Sequence, residues 1–136
     1  MTTEPRGVID TNVVVRLIVE DDAEQTRRAQ RLVVRAFERG DPIVVSLLVL
    51  IETEWVLRSR YEFDKDRVLR TMRGLLEARE LEFEDESAVE EALFYLTDSS
   101  AGFADCLIAA HNRRLGCSAT ATFDAKAARL PGFVLA

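Results

Sequence analysis

Short apolar runs alternate with longer segments of helical periodicity along nearly the whole chain, and this alternation restricts the fold more than any other feature. Runs such as Ile43–Val45 have the length and composition of buried strands. The longer segments repeat apolar residues every three or four positions, which predicts helices. Because strands that alternate with helices assemble mostly parallel sheets, we predict an α/β fold. Its central sheet would be covered by helices on both faces, in a three-layer α/β/α arrangement.

The predicted elements follow one another without a linker or a repeat. The predicted strands lie at residues 8–9, 43–45, 81–83, 118–121 and 133–135. The predicted helices cover residues 12–19, 22–39, 47–60, 64–76, 88–96 and 102–115. Ser46 is the expected N-cap of the third helix, and Ser87 followed by Glu90 has the pattern of a capping box. Since 136 residues are enough for one hydrophobic core, we expect a single domain over residues 1–136.

The cysteine and histidine content excludes several kinds of site. The chain has one histidine, His111, and two cysteines, Cys106 and Cys117. A zinc site built from histidine and cysteine pairs would lack ligands, and a Ser-His-Asp hydrolase is disfavoured. We expect His111 to be packed or partly exposed and both cysteines to be reduced packing residues.

The hydropathy pattern predicts a cytoplasmic protein with no membrane partner. No apolar stretch approaches the roughly 20 residues that a membrane span needs. Residues 1–6 contain a glutamate and a proline and lack the apolar segment of a signal peptide.

The charge balance and the charge distribution point in different directions. The chain carries 24 acidic and 18 basic residues, a net charge of −6, which by itself argues against a nucleic-acid partner. However, arginines are concentrated on the second predicted helix, where Arg27, Arg31 and Arg35 are candidate RNA contacts. The alternative is that these arginines form a solvated helix face with no partner.

Four carboxylates are candidates for a functional site, and two of them lie where a parallel sheet presents its functional edge. Asp10 and Asp124 each follow a predicted strand, and Asp105 lies in the first turn of a strongly apolar helix. The fourth, Glu52, lies in the middle of the third helix. Each of the three aspartates, taken alone, has a simpler interpretation as a turn former or a helix cap.

Glu52 competes with Glu54 for the functional position on the third helix. Leu48 and Val56 flank Glu52 at four residues on either side, so Glu52 lies in an apolar stripe. Residues two positions apart on a helix are separated by about 200° around its axis, so only one of the two glutamates can point inward. We expect Glu52 to point inward and Glu54 outward.

Converging carboxylates require compensation. Two unit charges about 4 Å apart repel by roughly 4 kcal/mol at an effective dielectric constant of about 20. Several such pairs would rival the stability of a whole domain, which is roughly 5 to 15 kcal/mol. A divalent cation would remove the repulsion, and oxygen ligands favour Mg²⁺ or Mn²⁺ over zinc. Such a site typically activates water and neutralises charge on a phosphodiester.

Four segments of the chain resemble a known family. These segments are VIDTNV at residues 8–13, VLIETEWVL at 49–57, GFADCLIAA at 102–110 and TFD at 122–124. In order and spacing the chain resembles the PIN-domain family and, within it, the VapC-type toxins of bacterial toxin–antitoxin systems. The resemblance covers essentially the whole chain.

The resemblance implies a metal-dependent RNA endonuclease. By this analogy the metal ligands and catalytic acids are Asp10, Glu52, Asp105 and Asp124, which would hold Mg²⁺ or Mn²⁺. Water would attack the phosphodiester in line and leave a 5′-phosphate and a 3′-hydroxyl. The implied partners are RNA, a second copy of the chain, and a small cognate antitoxin that blocks the acidic site.

Three polar residues have supporting roles by the same analogy, and one position departs from the family. Asn12 would brace the acids by hydrogen bonding, and Thr11 or Thr122 would contact the water shell of the metal. Asn12 has a simpler alternative as the cap of the first helix. Many relatives carry an aspartate where this chain has Gly102. This departure predicts one tightly held ion.

Two aromatic residues lie next to proposed ligands. We expect Phe123 to be packed, in preference to stacking on a base, and Trp55 to lie in the core or in an interface.

Two other functions compete with the nuclease. An aspartyl-phosphate enzyme with Asp10 as its nucleophile usually has a second aspartate just after the first and a downstream lysine. Here position 12 is asparagine, and only Lys65 and Lys126 are available. The other candidate is a PIN-fold module that binds RNA or a protein partner with little turnover.

Overall fold

The computed structural model describes residues 7–136, and the chain forms two compact units, Met1–Glu84 and Asp85–Ala136. Each unit is described by itself, and the single domain over residues 1–136 stays a prediction. The prediction about a signal peptide concerns residues 1–6, which lie outside the described residues. Within residues 7–136, no helix is both long enough and apolar enough to cross a membrane.

The first unit contains four helices and one pair of parallel strands. Its elements are α1 (Thr11–Ile18), α2 (Ala23–Glu38), β1 (Ile43–Val45), α3 (Leu47–Tyr61), α4 (Lys65–Glu77) and β2 (Leu81–Phe83). β1 and β2 run parallel, with Ile43 opposite Leu81. The first predicted strand is reduced to a single parallel bridge between Val8 and Val44, because α1 begins directly after Asp10.

Side-chain caps define where three of these helices begin. Asp22, Ser46 and Asp64 are the N-caps of α2, α3 and α4, and each accepts a hydrogen bond from the backbone N–H three residues later. Each cap satisfies one of the N–H groups that a helix start leaves unpaired, which is worth about 1 kcal/mol. The predicted starts of these three helices, including the Ser46 cap, are confirmed.

The core of the first unit is built from apolar residues at helical spacing. Leu50 and Leu57 lie on the buried face of α3, Val14 on α1 and Met72 on α4, and all are almost completely inaccessible to water. Because each of these helices buries one face, the elements that carry the candidate site residues are held in position by packing.

The second unit contains two helices, a short 3-10 helix and a second pair of parallel strands. Its elements are α5 (Glu86–Thr97), α6 (Phe103–Arg114), β3 (Thr120–Thr122), the 3-10 helix (Ala127–Arg129) and β4 (Phe133–Leu135). α5 packs along α6, and Phe103 and Leu107 of α6 are buried. In the parallel pair of β3 and β4, Thr120 lies opposite Phe133.

The sheet prediction is confirmed in its strand direction. All pairings among the described residues are parallel, as the alternation of strands and helices predicts. The strands form two sheets of two strands each rather than one central sheet. The fold is therefore mixed α/β with six α-helices in residues 7–136.

The predicted start of α5 was wrong. The N-cap is Asp85, whose Oδ1 accepts a hydrogen bond from the N–H of Ala88 at 3.2 Å. Ser87 therefore lies inside the first turn, where it cannot act as the cap. Asp85 also receives a hydrogen bond from the Arg114 guanidinium at 2.6 Å, which ties the start of α5 to the end of α6.

Replacing Asp85 with alanine is expected to lower the free energy of unfolding by about 1 to 2 kcal/mol, because it removes a helix cap and an ion pair. The matched variant is Ser87→Ala, two residues later in the first turn. It is expected to change the free energy of unfolding by less than about 0.5 kcal/mol. Urea unfolding followed by circular dichroism measures both. Equal losses in the two variants would contradict the assignment of the cap.

Candidate functional site

Asp10 is held at the start of α1 by the backbone of that helix. Its backbone is extended (φ −91°, ψ 179°), and its Oδ1 accepts a hydrogen bond from the N–H of Val13 at 3.2 Å. Asp10 is therefore the N-cap, and the alternative that Asn12 caps the first helix was wrong, because Asn12 lies inside α1. Since the cap uses only one carboxylate oxygen, the exposed Oδ2 is available to a ligand.

A cavity of about 500 Å³ adjoins Asp10 between α1 and α2. Its polar lining consists of Asp10, Asn12, Arg16, Gln25 and Arg28. A cavity of this volume with a few convergent polar groups is typical of a ligand site. The predicted supporting residue Asn12 thus shares a cavity with Asp10.

The arginine of α2 that lines this cavity is not one of those predicted from the sequence. Arg27, Arg31 and Arg35 are all exposed, but none of them is part of the lining. Arg28 is part of it, three residues after Gln25 and on the same helix face. The spacing of Gln25 and Arg28 places both on one helix face. This spacing is visible in the sequence, but the prediction of RNA contacts considered only the distribution of charge.

The predicted orientations of the two glutamates of α3 were wrong. Glu54 is only 3% exposed, and its carboxylate forms an ion pair with Arg58, which includes a hydrogen bond of 3.2 Å from Nη2 to Oε1. Glu52 is exposed and has no hydrogen-bond or ion-pair partner among residues 7–136. The physical reason is that Arg58, one turn later, neutralises Glu54 and so allows it to be buried. Glu52 is consequently the glutamate that is free to bind a cation.

The apolar stripe around Glu52 lies at the surface. Leu48 is 80% exposed and Trp55 is 57% exposed, and both lie on the same face of α3 as Glu52. The interpretation of Trp55 as a core residue was therefore wrong, whereas an interface role stays a prediction.

Asp105 lies in the first turn of α6, where free backbone N–H groups favour a negative charge. The N-cap of α6 is Gly102, which has no side chain to accept a hydrogen bond from this turn. Asp105 is half-buried and has no hydrogen-bond or ion-pair partner in the described part of the chain. Its carboxylate is thus available to a cation.

Asp124 is fixed by three local hydrogen bonds just after β3. Its Oδ1 accepts from the N–H of Lys126 at 2.8 Å and from that of Ala127 at 3.3 Å. Its own N–H donates to Oγ1 of Thr122 at 3.0 Å. Thr122 therefore orients the backbone that carries Asp124. The contact of Thr122 with a metal-bound water stays a prediction. The same holds for Thr11, which is buried at the first position of α1.

Phe123, between Thr122 and Asp124, is 89% exposed. The expectation that this ring is packed was wrong, because β3 ends at Thr122 and Phe123 lies in the exposed bend that follows it. Cys117 is also exposed rather than packed, whereas Cys106 is buried as expected and His111 is half-buried.

The four acids are divided equally between the two units. Asp10 and Glu52 belong to the first unit, and Asp105 and Asp124 belong to the second. Within residues 7–136, no three side chains of His, Cys, Asp or Glu are grouped closely enough to hold a metal ion. The chemistry of the donors nevertheless fits Mg²⁺ or Mn²⁺, since all four are carboxylates with at least one oxygen that has no partner among residues 7–136.

The chain is a mixed α/β protein in which two of the four acids follow segments paired in parallel, one lies in the first turn of a helix and one lies within a helix. The sequence model of the PIN domain family matches residues 7–132, and the chain belongs to this family. The PIN domain is a nuclease fold, and its members are generally metal-dependent. A comparison with curated proteins gave no match.

Alanine substitution of the two glutamates of α3 is expected to affect the free energy of unfolding to different extents. Glu54→Ala should lower the free energy of unfolding by about 1 to 3 kcal/mol, because it leaves Arg58 without its partly buried partner. Glu52→Ala should leave stability within about 0.5 kcal/mol, because that side chain is exposed and unpaired. Chemical denaturation measures both variants. A larger loss for Glu52→Ala than for Glu54→Ala would contradict this arrangement.

Proposed function

We propose that this protein is a metal-dependent endoribonuclease, the toxin of a toxin–antitoxin pair, which hydrolyses RNA phosphodiester bonds. The observation that carries the proposal is the match to the PIN domain over residues 7–132, which includes all four acids. The VapC-like segments around these acids support the assignment to the toxin group.

Asp10, Glu52, Asp105 and Asp124 are the proposed ligands of Mg²⁺ or Mn²⁺. Asp10 and Asp124 are held by backbone N–H groups through one oxygen, which orients the carboxylate and leaves the other oxygen free. Glu52 and Asp105 form no ion pair with any residue in the range 7–136, and Arg58, on the same helix as Glu52, is paired with Glu54. When bound, the ion would supply charge neutralisation at the phosphate and lower the pKa of a coordinated water.

The remaining residues would position the acids and the RNA. Asn12 would orient the substrate or the acids from the lining of the cavity beside Asp10. Thr122 holds the backbone of Asp124, and Thr11 begins the helix that Asp10 caps. The exposed residues Arg27, Arg31 and Arg35 would extend the basic surface of α2 along the RNA.

A single three-layer PIN domain over residues 1–136 is part of this proposal. In such a domain, functional residues lie at the carboxyl ends of the parallel strands. The antitoxin would block the acidic site, and an arginine of the antitoxin would compete with the metal for the carboxylates. We place the protein in the cytoplasm as a homodimer, for which the exposed Leu48 and Trp55 of α3 offer apolar surface.

A binding module with little turnover is the second candidate. Gly102 favours it, because the N-cap of α6 lacks the additional carboxylate that many relatives carry at this position. Under this function the protein would bind RNA or a partner protein and leave the RNA intact.

Cleavage of labelled total RNA by the purified chain, free of antitoxin, separates the two functions. We expect discrete cleavage with Mg²⁺ or Mn²⁺, none with EDTA, and a loss of at least about 100-fold in Asp10→Asn. The matched control is Asp22→Asn, because Asp22 is also an exposed N-cap aspartate and asparagine caps helices as well as aspartate does. Asp22→Asn should retain full activity. Absence of metal-dependent cleavage across a broad RNA set would favour the binding module.

Gly102→Asp is expected to strengthen metal binding. A side chain at this position meets no atom within 4 Å, and the backbone (φ −80°, ψ 167°) is one that aspartate readily adopts. The new carboxylate would add an oxygen ligand one turn before Asp105. We expect a larger rise in melting temperature on addition of Mn²⁺ than in the original chain, with a metal stoichiometry above one by calorimetry.

The control for this experiment is Gly102→Asn, which caps the helix equally well but adds no charge. In the absence of metal, the free energy of unfolding of both variants should rise by a few tenths of a kcal/mol, because each side chain caps the helix. An equal response to Mn²⁺ in the two variants would show that position 102 does not reach the metal.

A further inference from the structure

The cavity between α1 and α2 is lined by groups of different chemistry. Asp10 and Asn12 contribute to it from the start of α1, and Arg28 contributes from the middle of α2. Gln25 and Leu32 precede and follow Arg28 by three and four residues, so they share its helix face. The cavity thus combines a carboxylate, two guanidinium groups, two amides and apolar surface in about 500 Å³.

The other arginine of the cavity, Arg16, is already neutralised. Its guanidinium forms an ion pair with Asp21 and donates a hydrogen bond to the hydroxyl of Tyr61 at 3.0 Å. That hydroxyl in turn donates to Oδ2 of Asp21 at 3.1 Å. This network fixes the loop between α1 and α2 to the end of α3. Arg16 therefore shapes the wall of the cavity and brings it no unbalanced positive charge.

Arg28 is the cation of this cavity that remains available. It is exposed and has no hydrogen bond or ion pair with any other residue in the range 7–136. An unpaired guanidinium inside a cavity offers planar, bidentate hydrogen bonding that matches a phosphate. The negative charge of Asp10 would repel a phosphate, so an anion should bind at Arg28.

We propose that this cavity binds the RNA nucleotide next to the scissile phosphodiester, and that Arg28 contacts the phosphate of that nucleotide. The amides of Asn12 and Gln25 are suited to the donors and acceptors of a base or a ribose. The side chain of Leu32 offers apolar surface to the base. This inference deepens the proposed ribonuclease function and rests on it for the identity of the substrate.

Binding of fluorescently labelled single-stranded RNA to the full chain in EDTA tests the subsite without any cleavage. In Arg28→Gln we expect RNA affinity to fall about 5- to 20-fold and the slope of log K against log salt to decrease in magnitude by about 0.7. The matched control is Arg70→Gln, which removes the same charge from an exposed position on α4. In this control, RNA affinity should change less than about 2-fold.

Steady-state cleavage in Mg²⁺ provides the second readout. In Arg28→Gln the KM should rise by at least about 5-fold with kcat within about 2-fold, because the contact positions RNA without touching the reacting atoms. Thermal unfolding of both variants should match the original chain, since neither side chain has a partner in the described structure.

The outcomes separate this inference from the function on which it rests. If the original chain cleaves RNA but Arg28→Gln behaves like Arg70→Gln, the subsite is wrong and the nuclease stands. If the original chain fails to cleave but Arg28→Gln still loses RNA affinity selectively, the cavity binds RNA through Arg28 but the nuclease, and with it the position beside a scissile bond, is wrong. Unchanged RNA binding together with lost binding of a cognate antitoxin would assign the cavity to a protein ligand and overturn the proposal.

Discussion

The hydrogen bond from the N–H of Val13 to the carboxylate of Asp10 connects the fold to the candidate chemistry. The same contact begins α1 and orients a carboxylate whose other oxygen is free. Asp124 repeats the arrangement, with its Oδ1 held by the N–H of Lys126. At both residues the hydrogen bonds from backbone N–H groups use only one carboxylate oxygen, so the structural and functional interpretations of these residues are compatible. Once these two acids are oriented by backbone, little side-chain entropy remains to be lost when a cation binds.

Ion pairs determine which charges remain available for function. Arg58 neutralises Glu54, and Arg16 is neutralised by Asp21. Apart from these pairs, Glu52 is a carboxylate of α3, and Arg28 a cation of the cavity beside Asp10, that has no partner among residues 7–136. The net charge of −6 says little about RNA binding for this reason, because a ligand meets the unpaired charges near its site rather than the sum over the chain.

Local patterns predicted most of the elements correctly. The N-caps Asp22, Ser46 and Asp64 were each visible as a polar residue before an apolar periodicity, and the helices begin where these residues lie. The start of α5 was misplaced because Ser87 followed by Glu90 satisfies the capping pattern as well as Asp85 does. The choice between two overlapping caps depends on which carboxylate or hydroxyl also finds a tertiary partner, and Asp85 finds Arg114.

The sequence by itself determined the family and the alternation of helices and parallel strands, because these depend on local spacing and residue type, and it predicts the four acids as candidate ligands. Only the tertiary structure decided that Glu54 is buried, that Phe123 is exposed, and that Arg28 rather than Arg27 shares a cavity with Asp10. Helical periodicity places residues on a face but does not say what covers that face. Burial, ion pairing and cavity lining depend on side chains from elements distant in sequence, and these come together only when the chain has folded.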